Sequence, residues 1–425
     1  MRILYISQYF PPEMGAPAAR VSELSRFWVQ QGHQVTVLTA FPNHPTGVVP
    51  PEYRGKRRRL VVREWWEGVR IVRTWLLPFP NRKPLERMLN YASFWLSASL
   101  TGIFLARPDV LIATSPQLLV GLTGWWLGFV KRVPFVLEIR DLWPESLAAV
   151  GVARERSMLT RALGPVARFL YRRSDHIVVV SPAFKERIVR QGKISPDKIS
   201  VVENGVDTAL FSGDGESHGF RESLGLEGKF IVSYVGTLGM AHGLSTVLDA
   251  AASLQHSNPE IMFLMVGEGA EKEHLQNQVG ARGLSNVSIL PQQPREKIAE
   301  MIRASTLGVV PLRKAEVFQT VIPTKMLEFM ACGRPVILGV DGQARTLLEK
   351  AGAGVFVEPE NAGELTRAIL ELGADAARCQ QMGQNGRDYV ERNLSRESLA
   401  RDYLHVLEDL RMDRDAIRGV AGRRE

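Results

Sequence analysis

The feature that most narrows what this chain can fold into is an alternation of short apolar runs and helical patterns that occurs twice. In the first half the strand-like runs are 2–7, 34–39, 69–75, 110–114, 135–139, 176–180 and 199–202, with helical patterns at 18–31, 85–105, 117–131, 157–173 and 182–191. Runs that are apolar throughout, rather than alternating, belong to strands buried on both faces, so the pattern predicts parallel sheets in α/β, doubly wound domains. The stretch Ser212-Gly-Asp-Gly-Glu-Ser-His-Gly219 has linker composition and no apolar period. Beyond it the alternation restarts, with strands expected at 230–235, 262–266, 287–290, 307–310, 335–338 and 354–357 and a closing helix at 395–412. A chain of 425 residues can bury two such cores. The expected division is a first domain 1–205, a second domain 206–395, and a helix and frayed tail 396–425. Two Rossmann-like domains of this kind place a ligand cleft at the carboxyl ends of their strands.

Charge is split along the same boundary. Residues 1–205 carry 29 basic against 15 acidic side chains and the remainder 24 against 30, so a net charge of +8 conceals halves of +14 and −6. The positive charge is densest in Arg54-Gly-Lys-Arg-Arg-Arg59 and runs on through Arg63, Arg70, Arg73, Arg82, Lys83 and Arg87, with Trp65, Trp66, Trp75, Leu76, Leu77 and Phe79 between them. Cations interleaved with aromatics suit an anionic membrane surface. A solvated basic face over a few core aromatics is the plainer alternative. No zinc-finger spacing or aromatic RNA-binding signature is present, so nucleic acid is not an expected partner.

Two uncharged stretches, 88–106 and 110–130, raise the question of a membrane span. The second has 21 residues, but Ser115-Pro116 and the glycines beyond divide it into strand, turn and buried helix. The first reads as an apolar helix, buried or lying in the interface, and no transmembrane span is expected. The opening apolar run is shorter than a signal-peptide core, and Cys332 and Cys379 form no paired framework. Both point to a cytoplasmic protein, peripheral on the inner face of the membrane, and no multi-cysteine metal site is expected.

Three strand–glycine loops could receive an anion: Pro11 to Pro17 after run 2–7, Gly236 to Gly243 after run 230–235, and Gly267-Glu-Gly269 after run 262–266. None has the spacing of the dinucleotide or Walker fingerprints. The most informative segment is Ile322-Pro-Thr-Lys-Met-Leu-Glu-Phe-Met-Ala-Cys-Gly-Arg-Pro-Val-Ile337, read as a turn, a helix 325–331 ended by Gly333, and a buried strand. Lys325 stands at that helix N-terminus, where the dipole disfavours a cation unless an anion sits there too. The alternative is a surface pair with Glu328 three residues on, worth a few tenths of a kcal/mol, about 0.3.

The chain resembles the family 4 glycosyltransferases of the GT-B fold over nearly its whole length, which implies an acceptor-binding, membrane-facing domain 1–205, a donor-binding domain 206–395, and a tail 396–425 packing back on the first. The resemblance rests on Ile3-Leu-Tyr-Ile-Ser-Gln-Tyr-Phe-Pro-Pro-Glu13 with Gly15-Ala-Pro17, on Glu138-Ile-Arg-Asp-Leu-Trp-Pro-Glu145, on Glu203-Asn-Gly-Val-Asp207, and on Pro323-Thr-Lys325 with Glu328 to Val336. The motifs are similar to those of bacterial N-acetyl-L-fucosamine transferases of O-antigen and capsule assembly. The resemblance implies that Glu328 binds the donor ribose and that backbone N–H groups of Thr324, Lys325 and Met326 hold the diphosphate. It sets Gly236 and Gly239 beneath that diphosphate and Gly267 near the nucleoside, with Gln292 and Gln293 reading the base. Gly15 would lie near the donor phosphate and the acceptor. Arg140 stands where many relatives have a histidine, and Asp141 either orients it or the acceptor, or caps the segment that follows.

The pattern also departs from the family. Thr320 stands where the first of two paired glutamates is expected, and Thr237 and His242 stand where a basic pair usually flanks the glycine loop. Lys325, helped by Arg140, is therefore expected to neutralise the departing diphosphate. The resemblance implies a retaining, metal-independent transfer without a cofactor, from a nucleotide-sugar, UDP more than GDP, to a lipid-linked saccharide. A nucleotide-sugar 2-epimerase on the same fold and a catalytically dead, membrane-bound nucleotide-binding protein are the alternatives. The basic first half argues against the former, and the retained Glu328 and glycine loops against the latter.

Overall fold

In the computed structural model, which describes residues 1–44, 46–79, 84–115, 117–142, 158–214 and 218–421, the chain divides into two compact units. Unit 1 comprises residues 1–203 and 397–425, and unit 2 residues 204–396.

Unit 1 is built on eight strands: β1 Arg2–Ile6, β2 Gln34–Ala40, β3 Val61–Trp66, β4 Val69–Thr74, β5 Val110–Thr114, β6 Phe135–Ile139, β7 His176–Val179 and β8 Ile199–Val201. They lie in the order β3-β4-β2-β1-β5-β6-β7-β8. Every pairing is parallel except β3 with β4. β5 and β6 are buried along their whole length, as expected for strands covered by helices on both faces. The antiparallel edge hairpin differs from the all-parallel expectation. Its signal is the turn Glu67-Gly68, both at positive φ (45° and 80°), the geometry that matches the twist of paired strands. The tryptophans on either side made this stretch read as a basic surface segment.

The hairpin also revises the basic stripe. Arg73 is buried, its Nε 2.5 Å from Glu64 and its Nη1 donating to the Ala40 carbonyl at 3.2 Å. It is therefore a structural cation. Arg82 and Lys83 lie outside the described residues, as do Pro116 and Trp143 to Glu145 of the quoted motif. The closing helix, Arg396–Ala421, runs nine residues past its expected end. Residues 413–418 contain neither Gly nor Pro, so nothing in them interrupts a helix. Within unit 1 it is anchored by Trp28, whose Nε1 donates to the Ala400 carbonyl at 2.9 Å while its ring meets Tyr403 edge-on.

Unit 2 has six strands: β9 Phe230–Val235, β10 Ile261–Val266, β11 Val287–Leu290, β12 Leu307–Pro311, β13 Val336–Gly339 and β14 Gly354–Phe356. The order is β11-β10-β9-β12-β13-β14, all parallel. Its core packs Val232, Tyr234, Phe263, Met265 and Val309 against the helices Ser245–Leu254 and Ala362–Gly373. In unit 1 the strand order reverses at β1/β5 and in unit 2 at β9/β12. In doubly wound sheets, ligands lodge outside the carboxyl ends of the strands at that point.

Candidate active site

In unit 2 the loops leaving β9 and β10 begin at Gly236 and Gly267, at φ 140° and 157°. A Cβ on Gly267 would stand 1.9 Å from the Gly236 carbonyl oxygen, and one on Gly269 2.2 Å from that of Leu238. The loops are stacked backbone on backbone, a packing that only glycine allows. The N–H groups of Gly236 and Gly267 are engaged by the Val266 and Leu290 carbonyls at 2.9 and 3.1 Å. These two residues therefore make room and donate nothing to a ligand. Gly239 precedes the tight turn Met240–His242, and among the described residues the N–H groups of Gly239 and Met240 meet no protein acceptor.

Lys325 is the second residue of the helix Thr324–Ala331. Its Nζ donates to the Tyr234 hydroxyl at 2.7 Å, lies 4.1 Å from the centroid of that ring, and would stand 3.1 Å from a Cβ on Gly236. The Tyr234 hydroxyl in turn donates to the Thr237 carbonyl at 2.6 Å. A backbone carbonyl thus orients a phenol, and the phenol holds an ammonium over the glycine loop. Burial pushes the Lys325 ammonium down to about 7, with Glu328 opposing. His242 packs edge-on against Tyr234, ring centroids 5.8 Å apart. Burial, and then the charge of Lys325, hold this imidazole well below its ordinary range, so it is neutral near pH 7. Tyr234 was not singled out from sequence, where it reads as one more apolar position of β9. The available signal was a hydroxyl-bearing aromatic two residues before Gly236.

The helix start is narrower as a donor set than expected. The N–H groups of Thr324 and Lys325 meet no acceptor among the described residues. That of Met326 donates to the Pro323 carbonyl at 3.0 Å, and its side chain is buried in the core. Met326 is thus a packing residue. Glu328 pairs with Arg295, 3.6 Å away, whose guanidinium lies 5.1 Å from the Phe211 ring centroid. Arg295 is a second residue that sequence reading missed, because it is 33 positions distant and starts another helix. Gln292 is partly buried just past β11, and Gln293 donates to the Pro291 carbonyl at 3.2 Å. Thr320 donates to the Val317 carbonyl at 2.8 Å within its own turn.

In unit 1, Gly15 (φ 136°) opens the helix Ala16–Gln30. Arg140, one residue past β6, donates from Nη2 to the Ala16 carbonyl at 2.9 Å and from Nη1 to that of Pro17 at 3.3 Å. The Ser115 hydroxyl oxygen accepts from the N–H groups of both Arg140 and Asp141, at 2.6 and 3.3 Å. Gly15, Arg140 and Asp141 are thereby gathered around one helix start, on loops that follow β1, β5 and β6. Burial lowers the Arg140 guanidinium to about 10, so it stays charged, and raises the Asp141 carboxyl to about 6 against the pull of Arg140. Whether Asp141 caps the next segment falls outside the described residues.

Two buried carboxylates support this corner without having been foreseen. Glu138 accepts from Arg20 Nε at 2.9 Å and from the Tyr5 hydroxyl at 2.6 Å, and Arg20 also donates to the Val202 and Glu203 carbonyls. Glu13 accepts from the N–H groups of Asn43 and His44 at 2.8 and 2.9 Å, and burial raises its carboxyl to about 7. Neither was singled out within its motif, because their partners lie 30 to more than 100 residues away.

Residues 15–205 match the family model described as glycosyl transferase 4-like domain, and residues 218–389 that described as glycosyl transferases group 1. The chain is a family 4 glycosyltransferase. Over 425 aligned residues, 95% of this chain and 99% of the relative, the transferase is 26% identical to WcaI of Escherichia coli (strain K12), named for colanic acid biosynthesis. Among solved structures it is similar to sucrose-phosphate synthase from Thermosynechococcus elongatus, with TM-score 0.73 and 22% identity over 96% of this chain and 98% of that one. It is also similar to HepE of Anabaena in complex with UDP and glucose, with TM-score 0.72 and 17% identity over 96% and 99%. At these identities the structural likenesses show the fold, which is GT-B.

Proposed function

We propose that this transferase moves a sugar from a UDP-sugar to a lipid-linked saccharide at an anionic membrane surface, in polysaccharide assembly, with retention of anomeric configuration and without a metal. The observation that carries the donor half is the Lys325 ammonium, held over Gly236 by Tyr234 beside the open N–H groups of Thr324, Lys325, Gly239 and Met240. As the bond between the anomeric carbon and the diphosphate oxygen breaks, negative charge collects on that oxygen. Prearranged N–H groups and one ammonium stabilise it without needing to reorganise. The acceptor hydroxyl oxygen forms the new bond, and its proton leaves with the diphosphate. Lys325 supplies the charge that a divalent ion or a second basic residue would otherwise bring. Glu328, fixed by Arg295, is placed to accept from ribose hydroxyls. Arg140 and Asp141 serve the acceptor side. The name of WcaI and the UDP held by HepE on the same fold support the polysaccharide and uridine parts of this reading. The sugar we favour is a deoxy-aminosugar of the N-acetyl-L-fucosamine type, on the resemblance of motifs alone.

The acceptor half rests on an outward apolar face of unit 1. On the helix Pro84–Ile103, Leu85, Leu89, Leu96 and Leu100 recur at intervals of four and seven, with Phe104 just past its end. Leu85 and Phe104 are 71% and 82% exposed. Lys131 ties the neighbouring helix Leu118–Lys131 to this one through the Ile103 and Leu105 carbonyls, so the exposed Trp126 and Phe129 extend the face. Lys131 and the exposed Arg107 and Arg132 gather at the end where the two helices finish, Arg107 donating to the Arg132 carbonyl at 3.1 Å. Among the described residues no helix is long and apolar enough to cross a membrane. A leucine and aromatic face edged with cations fits the headgroup boundary of an anionic leaflet.

Thermal shift of the purified chain in EDTA, with UDP, GDP, ADP and NAD, tests the donor assignment. UDP alone should raise Tm, and Glu328→Ala should abolish the rise. A response to NAD alone, or a UDP response that demands a divalent ion, would overturn the reading. In a transfer assay Lys325→Ala should lose more than tenfold in turnover, about 1.4 kcal/mol of barrier. A smaller loss removes Lys325 from the leaving-group role.

A further inference from the structure

Unit 2 holds a cavity of about 410 Å³ far from the glycine loops. It is walled by Phe230 at the start of β9, Thr306 just before β12, and Pro335 just before β13. It therefore lies at the amino ends of the strands, whereas the donor loops leave their carboxyl ends. Strands of four to six residues rising roughly 3.3 Å per residue separate the two by roughly 13–20 Å.

We propose that this cavity is a second ligand site, which takes a small oxyanion with an apolar body and docks it on Arg334. Arg334 follows Gly333 (φ 66°) at the end of the Thr324–Ala331 helix and lines the cavity. Its Nε is buried with no hydrogen-bond partner, and among the described residues no acceptor meets its guanidinium. The other cations nearby are already engaged. Arg387 is held by Asp214 and Glu391, Arg221 donates to the Ala304 and Lys229 carbonyls, and Arg303 donates to those of Leu210 and Ser212. Burial, with the like charges of Arg221 and Arg303, holds the Arg334 guanidinium below its ordinary value, Cys332 opposing. A buried Nε–H without an acceptor is costly, and a carboxylate or phosphate drawn onto the partly exposed guanidinium supplies the missing anionic partner. Across the cavity the Thr306 hydroxyl oxygen accepts from the Ile231 N–H at 3.0 Å, which leaves its proton to donate to the ligand. Phe230, Leu372 and Pro335 supply the apolar wall.

The same helix joins the two sites. Its first turn carries Thr324 and Lys325, and the residues just after its end, Cys332 to Arg334, wall the cavity. Gly333 is pressed against the helix Ala376–Asn393 so closely that a Cβ on Gly383 would lie 2.1 Å from its carbonyl oxygen. A ligand drawn onto Arg334 must therefore act on a rigidly seated helix whose other end holds the diphosphate. This regulatory consequence rests on the donor-site reading, while the site itself does not.

The full chain should be titrated calorimetrically with phenylphosphate and, separately, with benzoate, whose relative affinities tell which headgroup the site prefers. One site is expected in the wild type. It should be kept in Lys325→Ala, weakened at least tenfold in Arg334→Gln, and partly restored in Arg334→Lys. The bound probe should also raise Tm in the wild type and in Lys325→Ala, but not in Arg334→Gln. Arg334→Gln should melt no lower than the wild type, because it removes a cation without a partner. Loss of binding in Lys325→Ala would place the anion in the donor site instead and overturn the proposal. So would unchanged affinity in Arg334→Gln, or a marked fall in its Tm, or neither heat nor a rise in Tm at millimolar probe. A UDP affinity unmoved by saturating phenylphosphate would overturn the regulatory coupling alone.

Discussion

Lys325 has lost most of the hydration that keeps a lysine charged to high pH. Burial is the larger effect and Glu328 only opposes it, which brings the ammonium to about 7. The proton it carries is thus poised near neutral pH. In the leaving-group role proposed for Lys325 the cationic form is the one that would bind a diphosphate, and it predominates below about pH 7. The kcat/KM measured at low donor should therefore fall as pH rises through that value, since it reports groups of the free enzyme. A bound diphosphate raises the lysine pKa, so the descending limb of kcat should lie at higher pH than that of kcat/KM. Lys325→Arg should remove the limb near 7, because a guanidinium stays charged throughout. Coincident limbs in kcat and kcat/KM, or a limb unmoved in Lys325→Arg, would assign the titration to another group.

At the scale of elements, the Thr324–Ala331 helix is positioned by glycines that belong to other segments. Gly383 and Gly386 sit within the helix Ala376–Asn393, where glycine is unfavourable by about 1 kcal/mol relative to alanine. Their presence is explained by contact: a Cβ on Gly383 would strike the Gly333 carbonyl oxygen, and one on Gly386 would press on Met330. Gly383→Ala should therefore destabilise by about 1–3 kcal/mol despite its better helix propensity. It should also weaken UDP binding, because the shifted helix carries Lys325. Thermal unfolding with and without UDP checks both, and a variant as stable as the wild type would show that the two helices separate easily. Elements were well marked in sequence where pattern and core agree, as in β5, β6, β9 and β11, whose bounds coincide with the apolar runs. The edge strand β3 was not, since one of its faces looks to solvent and its charges hide the period.

For the whole molecule, the charge asymmetry between halves becomes a statement about surface. Trp65 is exposed while Arg73 is buried in an ion pair, so the interleaved cations and aromatics are not one uniform patch. The larger apolar face lies instead on the helices Pro84–Ile103 and Leu118–Lys131. The purified chain should float with vesicles containing phosphatidylglycerol and much less with phosphatidylcholine alone. A combined Leu96→Asp, Leu100→Asp, Phe129→Asp variant should lose flotation while keeping the wild-type UDP response, since none of these residues lies in unit 2. Flotation of that variant equal to the wild type would move the docking surface elsewhere.

The sequence by itself determined the two doubly wound sheets, and it marked the segment around Lys325 and Glu328 as the one to examine. Periodicity and glycine placement are local, and a local code survives without coordinates. Only the tertiary structure decided what those residues touch. Lys325 could have paired with Glu328 three positions on, but it reaches Tyr234 across 91 residues, and Glu328 meets Arg295. The environments of Glu13, Glu138 and Arg334 were likewise undetermined. Desolvation depends on every chain segment that packs around a charge, and no spacing along the chain encodes that sum.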